Sequence, residues 1–150
     1  MPGDDLVPTA HYRATRGITI DAPPEAVWPG LVQVGCLRAG WYSNDLLDNL
    51  GHPSADAVLP QLQHLEIGQW VPMSPTPSDI TAFKVAAFEP NRLLVWEQPV
   101  STWVWTLTAT PDGATRLRVL YDWRRPAGAL LSLVLNEFGD FPMMRRMLLG

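Results

Sequence analysis

The fold is decided by residues 16–50, RGITIDAPPEAVWPGLVQVGCLRAGWYSNDLLDNL. The β-branched run at 17–20 predicts a strand over residues 16–21. Pro23, Pro24 and Glu25 predict a helix start, because proline is tolerated in the first turn of a helix. We predict this helix over residues 23–34 and a second short helix over 44–50. A strand and two short helices therefore open the domain, after an irregular N-terminal arm over residues 1–15.

From residue 69 onward the sequence consists of short alternating runs separated by Pro, Asn and Gly, which predicts an antiparallel meander. The predicted strands are 69–73, 80–88, 92–97, 102–110 and 115–124. The predicted inner-face residues of the last two strands are Trp103, Trp105, Leu107, Leu117, Val119, Tyr121 and Trp123. The predicted polar outer face consists of Thr102, Thr106, Thr108, Arg116, Arg118 and Asp122. The remaining segment, 127–150, is the one long helical candidate.

Length and composition predict a single globular domain over residues 1–150, since the chain is 47% hydrophobic and 17% charged. A formal charge of -4 and the lack of a long basic cluster argue against nucleic-acid binding. The most apolar run, 128–135, is shorter than the ~20 residues that span a bilayer, so we predict no transmembrane segment. The single Cys36 and an N-terminus without an apolar core favour a cytoplasmic location.

The chain resembles the SRPBCC superfamily, which includes START lipid-transfer domains, birch-pollen-allergen-like proteins and polyketide cyclase/dehydrase-like proteins. The resemblance spans nearly the whole chain and is densest in ITIDAPPEAVW at 18–28, GCLRAGWYSND at 35–45 and FPMMRRMLLG at 141–150. These motifs are similar to those of a bacterial polyketide cyclase-like subgroup. The resemblance implies an α+β helix-grip fold, in which a curved antiparallel sheet wraps around a C-terminal helix, two short helices follow the first strand, and an apolar cavity lies inside.

Two positions depart from the usual pattern of that subgroup. Gly30 stands where a Trp commonly follows the helix proline, and Asn44 stands where a Tyr is common. Both departures concern the size of the cavity. The resemblance therefore implies a larger or wetter cavity in this chain.

Aromatic and methionine side chains are the candidates for lining the cavity. The chain has seven Trp residues, and an aromatic inner face is suited to stacking a planar ligand as well as to plain core packing. Methionines on the last helix could line an adaptable pocket or fill the core. The predicted ligand-binding residues are Trp28, Trp41, Tyr42, Trp103, Trp105, Tyr121, Trp123, Met143 and Met147.

Glu97, Arg38 and Tyr121 are the candidates for acid–base or hydrogen-bonding assistance to a reaction. If the strand register turns Glu97 inward, its carboxylate could act as a general acid or base, whereas the opposite register makes it a solvated strand end. Arg38 could polarise a ligand carbonyl or carboxylate. Alternatively, Arg38 forms a salt bridge that fixes its loop, and Asp45 caps a helix.

Metal and nucleotide sites lack support in the sequence. His11, His52 and His64 are scattered, and no second cysteine accompanies Cys36. Residues 35–40 have the glycine spacing of a phosphate-binding loop but are not followed by Lys and Ser or Thr. We therefore predict neither a metal nor a cofactor.

Three functions remain open at this point. The first is binding of an apolar, aromatic or polyketide-like small molecule in the internal cavity. The second is a cofactor-independent cyclase or dehydratase that acts on such a ligand, with much of the rate coming from orientation. The third is a protein-interaction module, since fold alone does not determine function. The expected partner is an apolar small molecule, and the sequence does not determine the oligomeric state.

Overall fold

The computed structural model describes residues 12–42, 46 and 49–123, except for the side chains of Tyr12, Tyr121 and Trp123. The strands are β1 (Tyr12–Ile20), β2 (Trp70–Pro72), β3 (Ala82–Glu89), β4 (Leu93–Gln98), β5 (Ser101–Ala109) and β6 (Thr115–Trp123). They form one antiparallel sheet in the order β1-β6-β5-β4-β3-β2, so the first strand pairs with the last. The helix α1 (Pro24–Val32) and a 3-10 turn (Pro60–Leu62) accompany this sheet.

This architecture corrects the predicted α+β helix-grip fold with two short helices after the first strand. The described part of the chain is mostly a six-stranded sheet, and α1 is the one α-helix described along its length. Leu46, the described residue inside the predicted second helix, is also helical. The helix ends at Val32, two residues earlier than predicted, and Gly35 with a φ of 142° lies outside the helical conformation. Most of the predicted second helix (44–50) and all of the C-terminal helical candidate (127–150) lie outside the described residues.

The N-terminal boundary also differs from the prediction. β1 begins at Tyr12, inside the segment predicted as an irregular arm, and pairs with β6 along its whole length, with Ile18 opposite Leu117. Pairing with β6 gives residues 12–15 backbone partners that their own sequence does not reveal. The predicted strands from residue 69 onward are confirmed, with shifts of a few residues at their ends.

The inner face of the sheet, which packs against α1, follows the predicted alternation. Trp105, Leu107, Leu117 and Val119 belong to the same buried core, and Trp103 packs against it. The predicted inner face is therefore confirmed for every member whose side chain the structure describes.

A β-bulge interrupts the pairing of β3 with β4. Such a bulge bends a strand and increases its twist.

The predicted polar outer face is only partly confirmed. Thr108 and Arg118 are exposed, but Thr102 and Asp122 are each 4% exposed. The backbone N–H of Thr102 donates to Oδ1 of Asp122 at 2.9 Å, which supplies one of the hydrogen bonds that a buried carboxylate requires. Val104 is buried on this face as well. The outer face is thus dry along the first half of β5.

Five rings form an aromatic cluster on the inner face. Its members are Trp41, Phe83, Trp96, Trp103 and Trp105, and their contacting centroids lie between 5.1 and 6.4 Å apart. Trp96 and Trp105 meet edge to face at 5.2 Å, an arrangement that adds to the gain from area burial alone. Trp41 comes from the loop after α1, so the cluster ties that loop to the sheet.

The loop that follows α1 is closed by two backbone hydrogen bonds between Gly35 and Gly40, at 3.0 and 3.1 Å. The N–H of Ala55 donates to the carbonyl of Ala39 at 2.8 Å, which brings the next segment against this loop. Gly40 has a φ of 85°, and a Cβ there would lie 2.3 Å from Oγ of Ser54. Position 40 therefore requires glycine both for its conformation and for the close approach of residue 54.

Gly40→Ala should destabilise the protein more than Gly68→Ala does. Gly68 has nearly the same φ, 83°, but a Cβ there meets nothing within 4 Å. Gly68→Ala therefore measures only the cost of placing alanine in a left-handed backbone conformation, which is about 1–2 kcal/mol. Gly40→Ala adds a steric clash that costs about 1–3 kcal/mol more. Urea unfolding measures both variants, and equal losses of unfolding free energy would contradict the close approach of Ser54.

Candidate ligand-binding cleft

A cleft of about 580 Å³ lies between α1 and the inner face of the sheet. This volume falls within the ~300–1,000 Å³ typical of small-molecule sites. Its helix side is formed by Val27, Gly30 and Leu31, and its sheet side by Ile20, Trp105 and Leu117. Residues 54–58 form a third wall, and Gln33 and Tyr42 also contribute to the lining. Most of the side chains are aliphatic or small, so the cleft favours an apolar occupant.

Gln33 follows the last turn of α1 and carries a buried amide, 2% exposed. Its Nε2 donates to Oη of Tyr42 and, at 3.1 Å, to the carbonyl of Ala57. Its Oε1 accepts from the N–H of Leu59 at 2.9 Å and from Nε2 of Gln63 at 3.3 Å. Both donors and both lone pairs of the amide are used. Gln33 thus fastens the third wall of the cleft to the end of α1.

Tyr42 is among the residues that line the cleft. Its backbone has a φ of 54°, and its N–H donates to Oγ of Ser54 at 3.1 Å. Since Gln33 is the donor in its bond with Oη, the phenolic hydrogen is not used in that bond. The hydroxyl of Tyr42 therefore serves as the acceptor that orients the Gln33 amide.

Trp105 lies at the sheet side of the cleft and is 0% exposed. Within the described part of the chain, its indole N–H has no hydrogen-bond acceptor. A buried donor without a partner costs about 1–3 kcal/mol. Trp96 has the same unpaired indole but does not line the cleft, so the two residues form a natural comparison.

Arg38, a candidate for catalysis, supports the end of α1 instead of lining the cleft. Its Nη2 donates to the carbonyl of Val32, the last residue of α1, at 3.2 Å. Burial lowers the pKa of the guanidinium from its ordinary value. A cation near the C-terminus of a helix interacts favourably with the helix dipole and the free carbonyls. The geometry therefore gives Arg38 a structural contact with the end of α1.

The sequence left two strand registers open, and the structure has the one in which Glu97 faces outward. Trp96 and Gln98 are buried on the inner face, and Glu97 between them is exposed. It lines a separate groove together with Trp70 and Lys84. The side chain of Tyr121 is outside the described residues. The three predicted catalytic residues are thus not brought together in the described part of the structure.

The predicted ligand-binding residues divide into three groups. Tyr42 and Trp105 line the cleft. Trp41 and Trp103 belong to the aromatic cluster, and Trp28 packs against the core without lining the cleft. The predictions for Asn44, Asp45, Tyr121, Trp123, Met143 and Met147 concern side chains that lie outside the described residues. Gly30, where the resemblance implied a larger cavity, does line the cleft.

Sequence reasoning missed Gln33 and the wall of residues 54–58. In the sequence, Gln33 stands between two valines, Val32 and Val34, which are both buried in the structure. These apolar neighbours are the one local indication that the Gln33 amide is enclosed. Residues 54–58 carry no periodicity and no chemical motif, and only their hydrogen bonds to distant residues place them at the cleft.

Within the described ranges no three metal-ligating side chains meet, and no helix is long and apolar enough to cross a membrane.

Solved structures of similar fold cover nearly the whole chain. A Rhodobacter sphaeroides protein aligns with a TM-score of 0.57 at 19% identity, over 95% of this chain and 93% of its own. A Mesorhizobium loti protein gives 0.53 at 20%, over 92% and 95%. The Aha1 dimer from Colwellia psychrerythraea gives 0.51 at 14%, over 91% and 94%. Identities this low show a common fold alone. No family model matches the chain, and no curated protein matches its sequence.

Gln33→Met should lower the free energy of unfolding by about 1–3 kcal/mol, because Met has a similar length and leaves buried partners such as the Leu59 N–H unpaired. The same change at Gln61, which is exposed, is the matched control and should have almost no effect. Amide hydrogen exchange should also become faster at Leu59, whose N–H donates to Gln33. Wild-type protection at Leu59 in the Gln33 variant would disprove the anchoring role.

Proposed function

We propose that this protein binds an apolar small molecule in the cleft between α1 and the sheet. The observation that carries this proposal is the volume of about 580 Å³ beside a tightly packed aromatic core. The cleft is open to the surface on one side, and ligand sites are typically concave spaces with mostly apolar walls. Its size and its aliphatic walls are therefore suited to an apolar ligand.

The chemistry of the walls supports an apolar ligand. Ile20, Val27, Leu31 and Leu117 present aliphatic surface from three elements, and each Å² of apolar surface removed from water contributes roughly 25 cal/mol. The most deeply buried amide, that of Gln33, already has all of its hydrogen bonds within the protein. It therefore requires no polar partner from the ligand.

The resemblance to the SRPBCC superfamily gives the proposal its finer form. That resemblance implies an apolar cavity, and the aromatic inner face of the sheet favours an aromatic or polyketide-like ligand. A cyclase or dehydratase function lacks a comparable observation. Glu97 lines another groove, and Arg38 binds the end of α1, so neither supports acid–base chemistry inside the cleft.

Gly30 provides the test of the proposal. A Cβ at this helical position would meet nothing within 4 Å, and the residue lines the cleft. Gly30→Trp should therefore fill the cleft and abolish the binding of fluorene, a fluorescent three-ring hydrocarbon, as measured by titration. Gly30→Ala is the control: it should bind fluorene like the wild type and gain about 0.5–1 kcal/mol of stability from its helix propensity.

Urea unfolding shows whether Gly30→Trp is folded. If the folded variant binds fluorene with wild-type affinity, the ligand does not occupy the cleft. If the wild type itself does not bind fluorene or similar apolar molecules, the proposed function fails.

A further inference from the structure

We propose that the outer edge of β1, the edge that faces away from β6, binds the same edge of a second copy of this chain. The sheets of two protomers would then join into one antiparallel sheet across a two-fold axis. This inference concerns assembly and does not depend on the proposed function.

The two ends of the sheet differ in how far their edges are covered. β2 ends the sheet with only three residues, and the N–H of Cys36 donates to the carbonyl of Pro72 at 2.8 Å, so the loop after α1 covers part of that edge. β1 ends the sheet with nine residues and contains no proline. Outside its ladder with β6, only Ala22 among the described residues shares a backbone hydrogen bond with β1. A long edge of this kind offers a row of N–H and C=O groups to another strand.

The main chain at the middle of β1 is accessible. Gly17 is exposed, and because glycine has no side chain, its exposed area belongs to the main chain. Thr15 and Thr19 lie on the same face of the strand as Gly17 and are exposed as well. Threonine is short and β-branched, and such residues suit strand pairing. The middle of β1 can therefore be reached by another strand.

The charges of this segment favour a second copy of the chain as the partner. When two antiparallel β1 strands are centred on Gly17, Arg13 stands opposite the partner's Asp21, and both residues are exposed. The two-fold axis repeats this contact, so the interface has two such pairs. Opposite charges that face each other across strands stabilise the pairing. Within its own protomer Arg13 faces Asp122 of β6, and the five donors of a guanidinium suffice for two carboxylates.

The register centred on Gly17 is favoured over its neighbours. It places Thr15 opposite the partner's Thr19, and Thr–Thr pairs of this kind form hydrogen bonds. A register centred on Arg16 would place two like charges directly opposite each other, which is destabilising. A register centred on Ile18 would move the acidic residue two positions away from the basic one. The strand is therefore complementary to itself in the register centred on Gly17.

The first experiment measures dimerisation by analytical ultracentrifugation. An interface of one strand from each protomer is smaller than a standard interface, so we expect a dissociation constant in the micromolar range. Asp21→Arg should raise this constant about tenfold, because two exposed attractive pairs become repulsive. Adding Arg13→Asp to this variant restores opposite charges and should return the constant towards the wild-type value. Glu66→Arg is the matched control and should leave dimerisation unchanged, since Glu66 is exposed and precedes β2 at the other edge.

The second experiment tests the register by disulfide cross-linking. Residues directly opposite in an antiparallel pair are close enough for a disulfide. A mixture of Thr15→Cys and Thr19→Cys proteins should therefore form a covalent dimer when it is oxidised with copper phenanthroline. Neither variant alone should do so, because the two copies of residue 15 would lie four positions apart along the strands, about 13 Å. The wild type, whose Cys36 is buried, is the control.

Every outcome supports or overturns the inference. A wild type that is monomeric at millimolar concentration overturns it, and so does a dimer whose dissociation constant Asp21→Arg leaves unchanged. If Asp21→Arg does not fold, the cross-link decides. A covalent dimer in the mixture alone supports pairing of β1 with β1 in this register. No covalent dimer, or an equal yield from each variant by itself, contradicts it.

Discussion

The cleft depends on one buried amide. Gln33 sits where α1 ends, and its four hydrogen bonds reach Tyr42, the segment around Ala57 and Leu59, and Gln63. A buried amide with unpaired atoms is costly, so these groups are satisfied only when helix, loop and tyrosine are docked together. The apolar walls by themselves would favour collapse of the loop onto the sheet. The amide holds the loop at a distance that leaves room for a ligand.

The two sides of the cleft are therefore held by different kinds of interaction. On the sheet side, the aromatic cluster is rigid because Trp96, Trp105 and their neighbours interlock at ring distances of 5.1 to 6.4 Å. On the other side, residues 54–59 are held mainly by individual hydrogen bonds to Gln33, Ala39 and Tyr42. Segments with few buried apolar contacts open at lower free energy than core strands do. Residues 54–59 are therefore expected to open before the strands of the sheet do.

The sheet could be predicted from the sequence, but most of the cleft could not. Alternation with a period of two is a local property, so it revealed the strands and the inward positions of Trp103 and Trp105. The site residues were chosen by type, and this favoured large aromatic side chains. Trp41 and Trp103 instead pack against one another in the core. Gln33 and residues 54–58 become site residues only through contacts between distant parts of the chain, for which the sequence has no periodic pattern.

A low helix propensity marks the part of α1 that borders the cleft. Proline and glycine are the two residues least favourable within a helix, by about 3 and 1 kcal/mol relative to alanine. Pro29 and Gly30 both lie inside a helix of only nine residues. A Cβ at position 30 would meet nothing within 4 Å, so alanine would fit there without a steric conflict. Because this position lines the cleft, only a larger side chain would extend into that space, and the glycine keeps the helix side of the cleft free of one.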